Sequence, residues 1–91
     1  MDERLCPVCG YEHPRPTWHG GVPSFEICPC CGIQYGYSDA AGGDEAARAM
    51  LYRRWRQAWI EGGMRFKWPE RQPKDWEPVA QLQRIGVHLE P

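Results

Sequence analysis

The chain has 91 residues, of which 42% are apolar and 25% are charged, and its formal net charge is −1. This composition is typical of one small globular domain and excludes a disordered or collagen-like chain. No stretch approaches the roughly 18 apolar residues of a membrane span, and the acidic residues 1–4 are not the start of a signal peptide. We therefore expect one domain over residues 1–91, without membrane contact, in the cytoplasm.

Two Cys-x-x-Cys motifs, which we call the first knuckle (residues 6–10) and the second knuckle (residues 28–32), are separated by 18 residues. This spacing is typical of four-cysteine zinc sites. In both, a Pro after the first Cys and a Gly after the second favour the tight turn that directs two sulfurs at one ion. Cytoplasmic thiols stay reduced, so metal binding is favoured over disulfides. We predict one structural zinc ion with the ligands Cys6, Cys9, Cys28 and Cys31.

The fifth cysteine and the histidines offer alternatives to this ligand set. Residues 5–11 align with residues 27–33 as an internal repeat, in which Cys30 lies opposite Val8. We interpret Cys30 as a small filler of the turn, the alternatives being a spare ligand, a second metal contact or a redox-sensing thiol. His13 or His19 could replace a sulfur, but we expect both to be loop residues. Iron in a rubredoxin-type centre is the alternative metal.

A short hairpin is predicted around the second knuckle. Residues 24–27 alternate in polarity, which predicts a strand, and residues 33–37 are the expected antiparallel partner. Residues 11–23 contain three Pro and two Gly and are expected to be a turn-rich loop. The hairpin and the two knuckles together predict a zinc ribbon over residues 1–38.

A long helix is predicted over residues 44–63. Residues 44–61 contain no Pro or Gly, and Asp44 supplies negative charge at the N-terminal end. Gly62 and Gly63 provide the stop. Apolar side chains recur at intervals of three and four, which predicts a stripe that packs on the ribbon or, alternatively, forms an aromatic binding platform. The stripe comprises Ala47, Leu51, Trp55, Ala58, Trp59 and Gly62.

Residues 64–91 are expected to form a Trp-rich loop and a second, shorter helix. Pro78 suits the first position of this helix, which continues through Ile85 and ends at Gly86. The fold class predicted from these elements is a small α+β protein, a zinc ribbon packed with one long and one short C-terminal helix.

The charge is unevenly distributed along the chain. Residues 1–47 carry two basic and seven acidic side chains, whereas residues 48–74 carry eight basic and two acidic ones. The basic part could contact an acidic protein or a nucleic acid, match the acidic part internally, or face solvent. A sequence pI of about 6.3 argues against nucleic acid, since such domains usually have a pI above about 9. The candidate partner-binding residues are Arg53, Arg54, Arg56, Trp68 and Trp76.

The two knuckles, and above all residues 25–32 (Phe-Glu-Ile-Cys-Pro-Cys-Cys-Gly), resemble the cysteine-rich CPCC family of small bacterial proteins. The resemblance covers the first third of the chain and extends more loosely to the helix and to residues 76–78. It implies metal binding by the four matched cysteines. Some members of that family occur near toxin–immunity genes, so the resemblance also suggests an immunity protein that neutralises a toxin.

Three classes of function follow from these observations. We predict a protein-interaction module with a protein partner, of which an immunity protein bound to a toxin is a specific version. A nucleic-acid-binding zinc ribbon is the alternative. We do not expect an enzyme, because four thiolates close the coordination of zinc and the sequence has no paired carboxylates, nucleophile elbow or phosphate loop.

Overall fold

A computed structural model describes residues 2–89 of the chain. Residues 1, 90 and 91, at the two ends of the predicted domain, lie outside the described residues. The fold is α+β, as predicted. In chain order its elements are the strands β1 (Trp18–His19) and β2 (Val22–Pro23) and the helices α1 (Glu45–Glu61) and α2 (Pro78–Gln83). Two single-turn 3-10 helices, Ala41–Gly43 and Pro69–Arg71, precede α1 and α2.

The two-stranded antiparallel sheet lies in the segment that was expected to be a loop. Trp18 pairs with Pro23, and His19 pairs with Val22. Both residues of the connecting turn, Gly20 and Gly21, have positive φ, 56° and 80°. A type I′ turn requires positive φ at both positions, which is why two successive glycines favour this tight hairpin.

The hairpin predicted from residues 24–27 and 33–37 is present only as a much shorter antiparallel pairing. These segments meet at one isolated antiparallel bridge, between Ile27 and Gln34. Phe25 interrupts the first segment because its φ of 62° lies in the left-handed region rather than the extended one. The alternating pattern therefore reflects a chain that is extended for only a few residues beside the knuckle.

Helix α1 agrees closely with the predicted helix. Asp44 is its N-cap, and the carboxylate accepts hydrogen bonds from the N–H groups of Ala46 at 2.9 Å and Ala47 at 3.3 Å. Gly62 caps the other end, and Gly63 follows with a φ of 99°. The same cap and stop residues that predicted the helix therefore bound it in the structure.

The packed face of α1 is rotated from the predicted apolar stripe. Trp59 is buried as expected, but Ala58 is exposed and the Trp55 side chain is 36% exposed. Half-buried Tyr52 and Arg56 lie on the packed face instead. Both side chains donate hydrogen bonds to the N-terminal half of the chain. The rotation of α1 about its own axis is therefore determined by these acceptors as well as by the burial of apolar area.

Helix α2 begins at Pro78, as predicted, and is followed by a turn that reaches Gly86 with a φ of 78°. Its Gln81 and Leu82 side chains are buried against the knuckles and the Trp-rich loop. A row of six rings with neighbouring centroids 5.0 to 6.4 Å apart runs through the core. In order, the rings belong to Tyr35, His13, Tyr11, Phe66, Trp76 and Trp59.

Neither α1 nor any other helix within residues 2–89 combines the length and the apolar character that crossing a bilayer requires.

Candidate metal centre

The two knuckles have the same backbone conformation. In the first, the N–H of Gly10 donates to the carbonyl of Cys6 at 2.9 Å, and in the second, the N–H of Gly32 donates to the carbonyl of Cys28 at 2.9 Å. The φ angles of the two glycines are 84° and 82°. The repeat seen in the sequence is therefore a repeat in conformation, and each turn directs its two sulfurs to the same side.

Replacing Gly10 with alanine should destabilise the protein far more than the same change at Gly20. Both positions have positive φ, which costs a non-glycine residue about 1–2 kcal/mol. A Cβ at Gly10 would also collide with the carbonyl oxygen of Gln81, whereas one at Gly20 would meet nothing within 4 Å. We expect Gly20→Ala to cost about 1 kcal/mol and Gly10→Ala to exceed it by about 1–3 kcal/mol, measured by denaturant unfolding. Equal losses would contradict this packing.

The four predicted ligands converge on one point. The Sγ atoms of Cys6 and Cys31 are 3.8 Å apart, and those of Cys9 and Cys28 are 3.7 Å apart. All four sulfurs lie within 4.8 Å of one another and are buried, and none forms a disulfide. A tetrahedral ion with bonds of about 2.3 Å holds its sulfurs about 3.8 Å apart. These four cysteines could therefore hold a metal ion.

The electrostatics of the four sulfurs favour a bound cation. Burial is the largest influence on the pKa of Cys9 and of Cys31, and it raises both well above the usual thiol value. At Cys6 and Cys28 burial acts in the same direction, but hydrogen bonds from neighbouring groups outweigh it. They lower the pKa of Cys6 to about 6 and that of Cys28 well below its usual range. The four close sulfurs thus differ in how readily each loses its proton. A divalent ion that replaces these protons compensates the negative charge of the sulfurs, so that they can all be thiolates together.

The histidines lie outside the sulfur cluster. His13 is only 4% exposed, and its Nε2 lies 2.8 Å from the Tyr35 hydroxyl. Burial alone would lower the pKa of His13, but interaction with the sulfurs of Cys28 and Cys6 raises it to about 9. His19 is exposed, with its Nδ1 3.1 Å from a Glu3 carboxylate oxygen. His13 therefore lies beside the centre, hydrogen-bonded to Tyr35, and does not complete it.

Cys30 is a buried neighbour of the cluster. Its side chain is 0% exposed, and its Sγ lies 3.3 Å from Nε2 of Gln81. It does not belong to the group of four converging sulfurs. This position fits the interpretation of Cys30 as a filler of the second turn.

The carbonyls of the first knuckle accept hydrogen bonds from the C-terminal half of the chain. The Arg56 guanidinium donates to the carbonyls of Pro7 and Val8, both at 2.8 Å. Gln81 donates to the carbonyl of Cys9 at 2.9 Å. Because these carbonyls point out of a tight turn, the three bonds fix the turn on α1 and α2.

The carbonyls of the second knuckle also accept hydrogen bonds from the C-terminal half of the chain, mostly from main-chain N–H groups. The N–H groups of Trp68 and Lys67 donate to the carbonyls of its second and third residues at 3.0 and 2.9 Å. The Trp55 indole N–H donates to the carbonyl of its fourth residue at 2.9 Å. The contact of Gln81 with the first knuckle could not be predicted from the sequence, because a glutamine in a short helix carries no pattern that marks such a contact.

The candidate partner-binding residues fall into two groups, those that form contacts within the fold and those that lie at the surface. Arg56 donates hydrogen bonds to the first knuckle, and the Trp76 indole N–H donates to Gln81 at 2.8 Å. Arg53 and Arg54 are exposed on α1, and Trp68 is half-buried. Arg56 and Trp76 therefore support the fold, while the other three remain available at the surface.

The basic segment does not pair with the acidic one. None of the eight basic side chains of residues 48–74 forms an ion pair within residues 2–89, although Arg48 and Arg56 bond to carbonyl oxygens. Four of the seven acidic residues of the first part, Asp2, Glu3, Glu12 and Glu26, pair with Arg4, Arg15 and His19 instead. The other six cations are exposed to solvent, and they are Arg53, Arg54, Arg65, Lys67, Arg71 and Lys74.

Loss of the Arg56 guanidinium should loosen the metal centre. We expect Arg56→Ala to lower the zinc affinity by about 10- to 100-fold, the range found for outer-shell contacts of metal ligands. Arg53→Ala removes an exposed arginine from the same helix and should leave the affinity unchanged. Competition with a chromophoric chelator measures both. Equal affinities for the two variants would mean that the Arg56 bonds do not support the centre.

Comparison with known proteins finds two relatives in Bacillus subtilis (strain 168). The "Uncharacterized protein YoaQ" is 32% identical over 105 aligned residues, which cover 93% of this chain and 88% of that protein. The "Uncharacterized protein YozI" is 36% identical over 84 residues, which cover 77% of this chain and 67% of that protein. No family model matches the chain, so the resemblance to the CPCC family stays a prediction. No solved structure matches it either.

Proposed function

The chain belongs to the family of the Bacillus subtilis proteins YoaQ and YozI, and we propose that it is a structural zinc protein whose ribbon serves as a protein-interaction module. The observation that carries the proposal is the convergence of Cys6, Cys9, Cys28 and Cys31 within 4.8 Å in the buried centre of the molecule. Structural zinc is bound by cysteine thiolates, alone or with histidine, and four thiolates complete its tetrahedron.

A filled tetrahedron favours binding over catalysis. Catalytic zinc keeps one position open for water or substrate, whereas an ion bound by all four of these buried sulfurs would have none. Zinc is proposed over iron because the site needs no redox chemistry to fulfil a structural role. Elemental analysis with native mass spectrometry of purified protein should give one zinc per chain. A red protein with iron in the same ratio would replace zinc in this proposal.

The surface supports a protein partner. Six exposed cations are without an ion pair within residues 2–89, and Phe25 and Trp55 are 61% and 36% exposed. Arginine and aromatic side chains are enriched at the centres of protein interfaces. An immunity protein that binds a toxin is one version of this function, and the cytoplasm, where the thiols stay reduced, is the proposed location.

Capture from the native cell tests the proposal. Tagged protein should retain one protein in fixed ratio, and treatment with nuclease should not release it. Material that nuclease removes, with binding that weakens steeply as salt rises, would favour nucleic acid instead. The matched double variant Arg53→Glu and Arg54→Glu, which alters only exposed side chains, reports whether α1 forms part of the interface.

A further inference from the structure

A cleft of about 330 Å³ opens beside the second knuckle. One wall comes from the segment before that knuckle and the other from the Trp-rich loop. Its main lining residues are Tyr11, Phe25, Ile27, Pro29, Trp68 and Arg71. The lining thus combines apolar and aromatic side chains with four polar ones, His13, Glu26, Gln34 and Arg71, of which Arg71 is an exposed cation.

Trp68 differs from the other four tryptophans in its hydrogen bonding. Each of the others donates its indole N–H to a group of the protein, at 2.8 or 2.9 Å. The indole N–H of Trp68 has no partner within residues 2–89, and no buried side-chain nitrogen among them lacks a partner. This N–H is therefore accessible to solvent, on a residue that lines the cleft, and is free to donate to a ligand.

Arg71 is the second free donor of the cleft. It is exposed and forms no ion pair within the described part of the chain. The acidic side chain of the lining, Glu26, is already bound to Arg15 at 2.8 Å. The unpaired donors of the cleft thus include a cation and a neutral N–H, which complement a carboxylate.

Phe25 holds an aromatic ring at the edge of the cleft in a strained conformation. Its φ is 62°, a region costly for residues other than glycine, and its side chain is 61% exposed. Ile27 beside it is 39% exposed. Strain that displays an apolar ring to solvent is characteristic of binding sites.

We infer that this cleft binds a short acidic segment of a partner protein. One aromatic or leucine side chain of the segment packs on Phe25 and Ile27, and a neighbouring carboxylate accepts hydrogen bonds from Arg71 and the Trp68 indole. The inference rests on the proposed function of the chain as a protein-interaction module, and it specifies the surface and the chemistry of the partner.

A nucleic acid fits the cleft less well. Single-stranded nucleic acids require a groove of several cations that follows the phosphates, whereas Arg71 is the one exposed cation of this lining. Residues 1–47, which provide most of the lining, carry five more acidic than basic side chains. A polyanion with a charge on every nucleotide would meet more repulsion from them than a segment with one or two carboxylates.

Selection from a library of short random peptides on the zinc-loaded protein tests the inference. The enriched peptides should be acidic and contain an aromatic residue or leucine. Arg71→Glu should weaken their binding at least about tenfold, as for a hot-spot arginine, and Trp68→Phe, which removes only the N–H, should weaken it less. Arg53→Glu, an equivalent charge reversal on α1, should have no effect. In a ¹H–¹⁵N spectrum, bound peptide should shift the Trp68 indole signal most.

Three results would overturn the inference. Peptides whose binding is lost with Arg53→Glu but not with Arg71→Glu would move the interface to α1 and keep the proposed function. The absence of any enriched peptide would reject the cleft, while a nuclease-resistant protein captured from the cell would still support the proposed function. Binding of an oligothymidine probe with no enriched peptide and no captured protein would reject both.

Discussion

Removal of the metal should unfold the protein. Zinc binding at small four-cysteine sites is worth on the order of 10 kcal/mol, comparable with the entire stability of a domain, about 5–15 kcal/mol. Here the centre joins two knuckles that contact both helices and the Trp-rich loop. We expect a strong chelator to abolish most of the helical circular dichroism and to shift tryptophan emission to the red, with both signals restored by zinc. An unchanged spectrum after complete metal removal would contradict this prediction.

Two cysteines provide a matched control for the metal. Cys28 and Cys30 are both 0% exposed and lie in the same knuckle, but only Cys28 belongs to the converging group. We expect Cys28→Ser to lose the stoichiometric ion and the fold, and Cys30→Ser to retain one ion per chain with a modest loss of stability. If both variants lost the ion to the same extent, Cys30 would have to be included among the ligands.

The sequence predicted the features that a few neighbouring residues determine. The cysteine spacing, with Pro and Gly at fixed positions, identified the four sulfurs that converge. Asp44 and the glycines after residue 61 marked the limits of α1, and Pro78 marked the start of α2. Each knuckle turn and each helix end is determined within one turn of the chain, so a local pattern is sufficient for them, whereas the pairing of the two knuckles followed from the spacing of their cysteines.

The contacts that assemble these parts could not be predicted in this way. The bond from Arg56 to Pro7 spans 49 residues, and the bond from Gln81 to Cys9 spans 72. Arg56 lies in a row of arginines, and nothing local distinguishes it from exposed Arg53. Which arginine points inward depends on where the knuckle carbonyls lie after folding. The hairpin at residues 18–23 was missed because its strands are only two residues long. Such strands are too short to show the alternation of polar and apolar residues that predicts a strand.

Loss of the Asp39 carboxylate should be the most damaging change outside the metal centre. Asp39 is 0% exposed. Its carboxylate accepts hydrogen bonds from the Trp18 indole at 2.9 Å, the Tyr52 hydroxyl at 2.6 Å and the Gly36 N–H at 2.6 Å. These donors belong to β1, the chain after the second knuckle, and α1, so one side chain joins three parts of the fold.

We expect Asp39→Ala to destabilise the zinc-loaded protein by about 3–5 kcal/mol, because it leaves three donors without their acceptor at a buried site. Tyr52→Phe removes one of the three bonds and should cost about 1 kcal/mol. Since burial and the bond to Asp39 raise the pKa of Tyr52, the hydroxyl stays protonated and able to donate. Denaturant unfolding in excess zinc measures both changes.

The number of zinc ions bound per chain distinguishes the structural role of Asp39 from the role of the metal ligands. The carboxylate of Asp39 does not belong to the sulfur cluster, so Asp39→Ala should keep one ion per chain while its midpoint of unfolding falls. In the double variant with Tyr52→Phe, the second change should cost almost nothing, because the hydroxyl has already lost its acceptor. Additive losses would mean that the two side chains act independently and that Asp39 is not the point at which α1 is attached to the N-terminal half.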